Sequence, residues 1–158
     1  MKSFKKSTVC IAISAAIIAT ASFAASHTSK SSNPAVAARH AQMQVIAYSI
    51  GILGGMAKGE IEFNAEMASS AATNMNKLAA LDAASLWLEG TAQGDVDGSR
   101  AKAEIWTDMA GFAGKFDQLE VASAALMGAT SVDDVRAGMG AIGGACKACH
   151  EGYRGPKN

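Results

Sequence analysis

Residues 146–150 read Cys-Lys-Ala-Cys-His, and this pentapeptide limits what the chain can fold around. C-x-x-C-H is the attachment motif for a c-type haem. On a helix, Cys146 and Cys149 are three positions apart and share a face. Thiols so placed can each form a thioether with one haem vinyl group. His150 follows at once and lies one helical turn after Cys146, so its imidazole can reach the iron from the same side. The expected cofactor is therefore one covalent haem c per chain.

Other chemistries fit these residues less well. A structural zinc site needs four ligands, and outside the motif the chain offers only Cys10, His27 and His40. A thioredoxin-like pair sits near a βαβ pattern, and no strand pattern is present. A disulfide between Cys146 and Cys149 leaves the adjacent histidine without a role.

The N-terminus reads as a targeting segment. Lys2, Lys5 and Lys6 precede an apolar run from Val9 to Ala19, and Ser22-Phe23-Ala24 supplies small residues for cleavage. That is a secretory signal rather than a membrane span. Cleavage is expected after Ala24, giving a signal peptide over 1–24, one domain over 25–158 and a periplasmic location. Cys10 lies inside the signal and leaves with it. Removing the three signal lysines leaves 11 basic against 14 acidic residues, a formal charge of about −3. There is no basic stripe, which argues against nucleic acid as a partner, and the mature chain contains no membrane span.

Beyond a polar leader over 25–33 the pattern is helical. The expected first helix runs from Pro34 to Lys58, with Pro34 in the first turn and Gly59 as its stop. Its apolar face carries Val36, Met43, Ile46, Ile50 and Leu53. A second helix is expected from Asn64 to Glu89, with Met67, Ala71, Leu78, Leu81 and Ser85 on one side. Gly90, Gly94 and Gly98 mark a loop over 89–99. A third helix is expected from Ser99 to Gly128, with Ile105, Met109, Phe112, Phe116 and Leu119 inward. The fourth spans Ser131 to Tyr153, opened by Ser131 and Asp134 in a capping-box arrangement. Its stripe of Val135, Met139, Ile142, Cys146 and Cys149 brings the motif thiols onto the core-facing side. Short connections make this an all-α, antiparallel four-helix bundle. Gly51, Gly54 and Gly55 suggest close packing of the first helix against a neighbour.

With the motif at the C-terminal end of such a bundle, the chain resembles cytochrome c-prime and its six-coordinate, low-spin relatives. The residues that carry the likeness are Arg39 and Met43, Lys58-Gly59-Glu60, Glu104-Ile105-Trp106, and the block from Gly143 to Arg154. The resemblance implies His150 as the proximal iron ligand and sets Met43 over the distal haem face. A methionine there ligates the iron in the low-spin relatives, and a non-ligating residue there leaves it five-coordinate. The resemblance also implies Arg154 close to the proximal face and Arg39 near the haem edge and propionates. His40 stands where glutamine is common in that family. Trp87 and Trp106 read as packing residues.

Two functions follow as expectations. With Met43 bound, the haem is an electron carrier that meets redox partner proteins at its edge. With Met43 free, it binds nitric oxide or carbon monoxide. An enzyme is not expected, because peroxidase or oxygenase chemistry wants acid–base groups over the iron and the first helix offers His40 at most. The family likeness further implies a homodimer through the first two helices.

Overall fold

The computed structural model describes residues 31–157; the expected signal peptide and His27 lie outside them. Helix α1, Pro34–Lys58, starts where Asn33 Oδ1 accepts from the Ala35 and Val36 amides at 3.0 and 3.2 Å. This satisfies donors that a first turn leaves free. It ends at Gly59, whose φ of +79° favours a residue without Cβ. Both bounds agree with the sequence. Its buried side chains fall at 36, 39, 42, 46, 49, 53 and 56, steps of three or four that keep one stripe inward.

The second expected helix breaks. Helix α2 covers Ala65–Ala79, and Asp82 then caps a single turn, α3, Ala83–Leu86, by accepting from the Ala84 amide. The inward face of α2 agrees with the expected one only at Ala71, which is buried, and Leu78, which is half-buried against the core. Ala68, Ala71, Ala72, Met75 and Ala79 are buried, whereas Met67, Leu81 and Ser85 are exposed. Large apolar residues pointed to one face, but small ones let α2 lie close against its neighbours, and proximity decided the rotation.

The loop appears as expected, with positive φ at Gly90, Gly94 and Gly98. The third expected helix starts late and is interrupted. Residues 100–102 instead run beside the C-terminus: the Lys102 amide donates to Tyr153 O at 3.0 Å and the Gly155 amide to Arg100 O at 2.7 Å. A short helix α4, Glu104–Thr107, follows, and then Asp108 leaves helical geometry at φ −141°, ψ 61°. Its carboxylate caps helix α5, Met109–Ala124, at the Gly111 amide. Ile105, Phe112, Phe116 and Leu119 are buried, as their spacing predicts.

Helix α6, Val132–Tyr153, opens on the capping box of Ser131 and Asp134. Amide and hydroxyl donors around the Asp134 carboxylate hold its pKa below the usual value, led by the Thr130 amide. Helices α1, α2, α5 and α6 pack in a ring, each against the next. The Arg136 Nε donates to Ala57 O at 2.8 Å, tying the start of α6 to the end of α1. The two helices are thus antiparallel, and the C-terminal turns of α6 face the first half of α1. The molecule is a helical bundle with a core centred on Leu53, Met56, Met75, Ile105, Phe112 and Ile142. No described helix is long and apolar enough to cross a membrane.

The glycines of α1 pack differently from the expectation. A Cβ on Gly55 would meet Ile61 Cδ1 at 2.6 Å, so the close approach is to the turn after α1, not to another helix. Gly54 meets only Met139 Cε at 3.8 Å, and Gly51 has nothing within 4 Å.

Candidate haem site

The packing leaves a cavity of about 400 Å³ between α1, α5, α6 and the 87–101 loop. This size suits a cofactor. Helix α6 contributes Cys146, Cys149, His150 and Tyr153 to one wall, with Arg154 at the rim. Helix α1 contributes Arg39, His40, Met43, Ile46, Ala47 and Ile50 to the other. Every site residue expected from the sequence therefore borders the same space, although Met43 and His150 lie more than a hundred positions apart.

Helical geometry explains the α6 wall. Cys146 and Cys149 lie beside the buried positions Ile142 and Ala145 and are half-buried themselves. No disulfide joins them. Burial pushes the pKa of each upward; for Cys149 the charge of Cys146 adds to it, against Lys115 and Arg154. His150 moves the other way. Burial first, then the charges of Arg154 and Arg100, lower its pKa, which favours the neutral imidazole that binds metals. Among the described residues no group of three or more His, Cys, Asp or Glu is placed to hold a metal ion.

Arg39 is 3% exposed. Its Nη1 donates to Thr91 Oγ1 at 3.0 Å and its Nη2 to Thr91 O at 3.1 Å. The guanidinium carbon lies 4.6 Å from the Trp87 ring centroid, a cation–π distance. No carboxylate pairs with it among the described ion pairs, and burial lowers its pKa. Buried charges are ordinarily paired. Beside it, the Trp87 indole N–H is buried without a partner, although buried donors are nearly always satisfied. Both residues line the cavity. A cation without a carboxylate partner and an unpaired indole donor, side by side on a largely apolar lining, fit a flat apolar macrocycle that carries carboxylates. Haem is such a group.

Trp87 was legible in the sequence only as packing. It does pack, edge-on to Phe112 at 4.6 Å, and its carbonyl accepts from Trp106 Nε1 at 2.8 Å. Its free indole N–H at the cavity depends on where the second helix breaks. Thr91, Arg100 and Lys115 also belong to the cavity surroundings without any local signal. Trp106 is a packing residue, half-buried against the core.

Comparison with known proteins agrees with this arrangement. The family model described as Cytochrome C' matches residues 34–154. Cytochrome c-554 of Cereibacter sphaeroides is 38% identical over 118 residues, covering 73% of this chain and 89% of that protein. A cytochrome c' of the same species is 37% identical over 121 residues, covering 75% and 81%. Among solved structures, cytochrome c' from Rhodobacter spheriodes superposes with a TM-score of 0.72 at 35% identity, covering 78% of this chain and 96% of that one. A nitric oxide complex of a point mutant of cytochrome c prime from Alcaligenes xylosoxidans gives 0.66 at 28% identity, covering 78% and 94%. A four-helix bundle with these cysteines near its C-terminus, matched over most of its described length, belongs to the cytochrome c' family and is a c-type haem protein with covalently attached haem c.

Proposed function

We propose that the protein is a periplasmic electron carrier, with haem joined to Cys146 and Cys149, His150 as proximal ligand and Met43 as the sixth. The observation that carries this reading is the pair of facing walls: α6 supplies thiols and imidazole, and α1 supplies a thioether across one cavity. Bound haem supplies reversible one-electron chemistry, and a histidine–methionine ligand pair raises its potential. The protein's own residues do the rest. Val36, Ile46 and Ile50 keep water from the distal side. Arg39 and the Trp87 indole hold the propionates, and His40 lies at the same edge. Arg154 supplies positive charge beside the proximal face. The α1 wall gives no acid–base pair over the iron, which favours a carrier over an enzyme. The basic, then apolar, then small-residue order of positions 1–24 supports export.

A second reading has its own support. The distal wall is largely apolar, and the Alcaligenes xylosoxidans neighbour was solved as a nitric oxide complex. With Met43 unbound, a small neutral gas such as nitric oxide or carbon monoxide enters that space. Optical spectra of the oxidised and reduced protein, with and without carbon monoxide, separate the two. The carrier gives a low-spin spectrum that carbon monoxide does not move. A high-spin ferrous spectrum that shifts with carbon monoxide rejects methionine ligation and establishes the gas binder.

The family likeness also supports a homodimer through α1 and α2. Val45, Tyr48 and Met67 are exposed on these helices, Tyr48 by 70%, and Gly51 stands open on the same helix. Sedimentation at micromolar concentration is expected to give twice the chain mass; a monomer mass ends this assembly.

A further inference from the structure

Behind Arg39 the loop buries polar side chains of its own. Thr91 is 5% exposed and Ser99 2%, although loop residues ordinarily reach water. Ser99 borders the cavity, whereas Thr91 stands outside its lining. Thr91 meets the cavity wall through Arg39. This one residue offers its hydroxyl to Nη1 at 3.0 Å and its carbonyl to Nη2 at 3.1 Å. Two ends of the guanidinium fork are thus held by a single neighbour.

Both acceptors are themselves fixed. Thr91 Oγ1 donates its proton to Leu88 O at 2.6 Å, which leaves the lone pairs of that oxygen for Arg39. Thr91 O also accepts from Ser99 Oγ at 2.7 Å, and Ser99 Oγ accepts from the Ala101 amide at 3.3 Å. The Trp87 ring covers the guanidinium face, 4.6 Å from its carbon. Arginine has many rotamers to lose, and here its plane and one of its edges are both set. Preorganisation of this kind removes an ordering cost from binding. Thr91 takes two of the five guanidinium N–H donors and leaves the others for a carboxylate.

We propose that Thr91 is a positioning residue for Arg39: it fixes the guanidinium at the cavity wall and thereby sets the reduction potential of the bound haem. The inference rests on haem occupying the cavity, and it holds whether or not Met43 is a ligand. Reduction adds one electron to the haem with no proton transferred, so the reduced group is more negative by one unit. A cation beside it favours that form, and the attraction grows as distance and local dielectric fall. A buried guanidinium deprived of an acceptor moves toward water, where its charge is farther from the haem and better screened.

Potentiometric titration of the holoprotein tests this. Thr91→Val keeps the shape of the side chain and removes its hydroxyl. At a fixed poise the ratio of reduced to oxidised protein is then expected to fall about threefold or more. Thr91→Ser keeps the hydroxyl and loses a methyl group, so it should lower the midpoint of guanidinium unfolding yet leave the ratio at the parent value. In an Arg39→Leu background, Thr91→Val should no longer move the ratio. A ratio that is unchanged or raised in Thr91→Val overturns the proposal. So does an equal shift in the serine variant, or a shift that survives without Arg39. The comparison of valine with serine stands even where Arg39→Leu fails to fold. Absence of covalent haem from the parent protein would refute the haem reading instead, so the two failures are distinct.

Discussion

Replacing Cys146 and Cys149 together by alanine is expected to abolish covalent haem and to unfold most of the protein. Each thiol supplies one thioether, so a denaturing gel stained for haem should show no band for the double variant. The consequence for the fold follows from the cavity. Its volume is about 400 Å³, and it is walled by core side chains such as Ile46, Phe112 and Phe116. Burial of apolar surface contributes about 25 cal/mol per Å², so a macrocycle seated here and the side chains it covers contribute several kcal/mol. Whole domains are stable by about 5–15 kcal/mol. Losing the group that fills the cavity therefore removes much of the margin, and the far-ultraviolet circular dichroism of the variant should fall toward that of an unfolded chain. Haem staining that persists after both substitutions would rule out these thiols as the attachment points.

Phe112→Ala is expected to destabilise the holoprotein by about 3–5 kcal/mol. Phe112 is 1% exposed. It stands among three rings, edge-on to Trp87 at 4.6 Å, to Tyr153 at 5.1 Å and to Phe116 at 5.4 Å. Aromatic pairs of this geometry add about 0.5–1.5 kcal/mol beyond the area they bury, so the upper half of the range is expected. The ring also holds Trp87 against the cavity, and its loss should loosen the indole on which Arg39 stacks. Guanidinium unfolding followed by circular dichroism measures the cost. A loss below about 1 kcal/mol would mean that the surrounding rings close over the gap and that Phe112 is not the centre of this core.

Elements whose ends are set by neighbouring residues were legible in the chain. Helix α1 keeps its bounds because Asn33, Pro34 and Gly59 act within a turn of the helix they delimit. Helix α6 keeps its start because Ser131 and Asp134 satisfy each other locally. The middle of the chain was not legible in this way. Apolar periodicity continues through Asp82 and Asp108, but each carboxylate caps a new helix there and ends the preceding run. On the expected inward face of α2 only Ala71 and Leu78 point inward, because alanine carries a weak hydrophobic signal and yet allows the closest approach.

The same division holds at the site. Cys146, Cys149 and His150 could be read directly, since their chemistry depends on fixed spacing along one helix. Met43, Arg39 and Arg154 came from family likeness, and the fold brings them to the same cavity. The roles of Trp87, Thr91, Arg100 and Lys115 had no trace in the sequence. Arg39 meets Thr91 across 52 positions, and Arg100 meets Gly155 across 55. Sequence alone determined the cofactor, from the spacing of Cys146, Cys149 and His150, and the bounds of α1, from its caps, because spacing and caps act locally. Only the tertiary structure decided which buried donor and which cation without a carboxylate partner stand side by side at the cavity, because those depend on segments that meet only after the chain has folded.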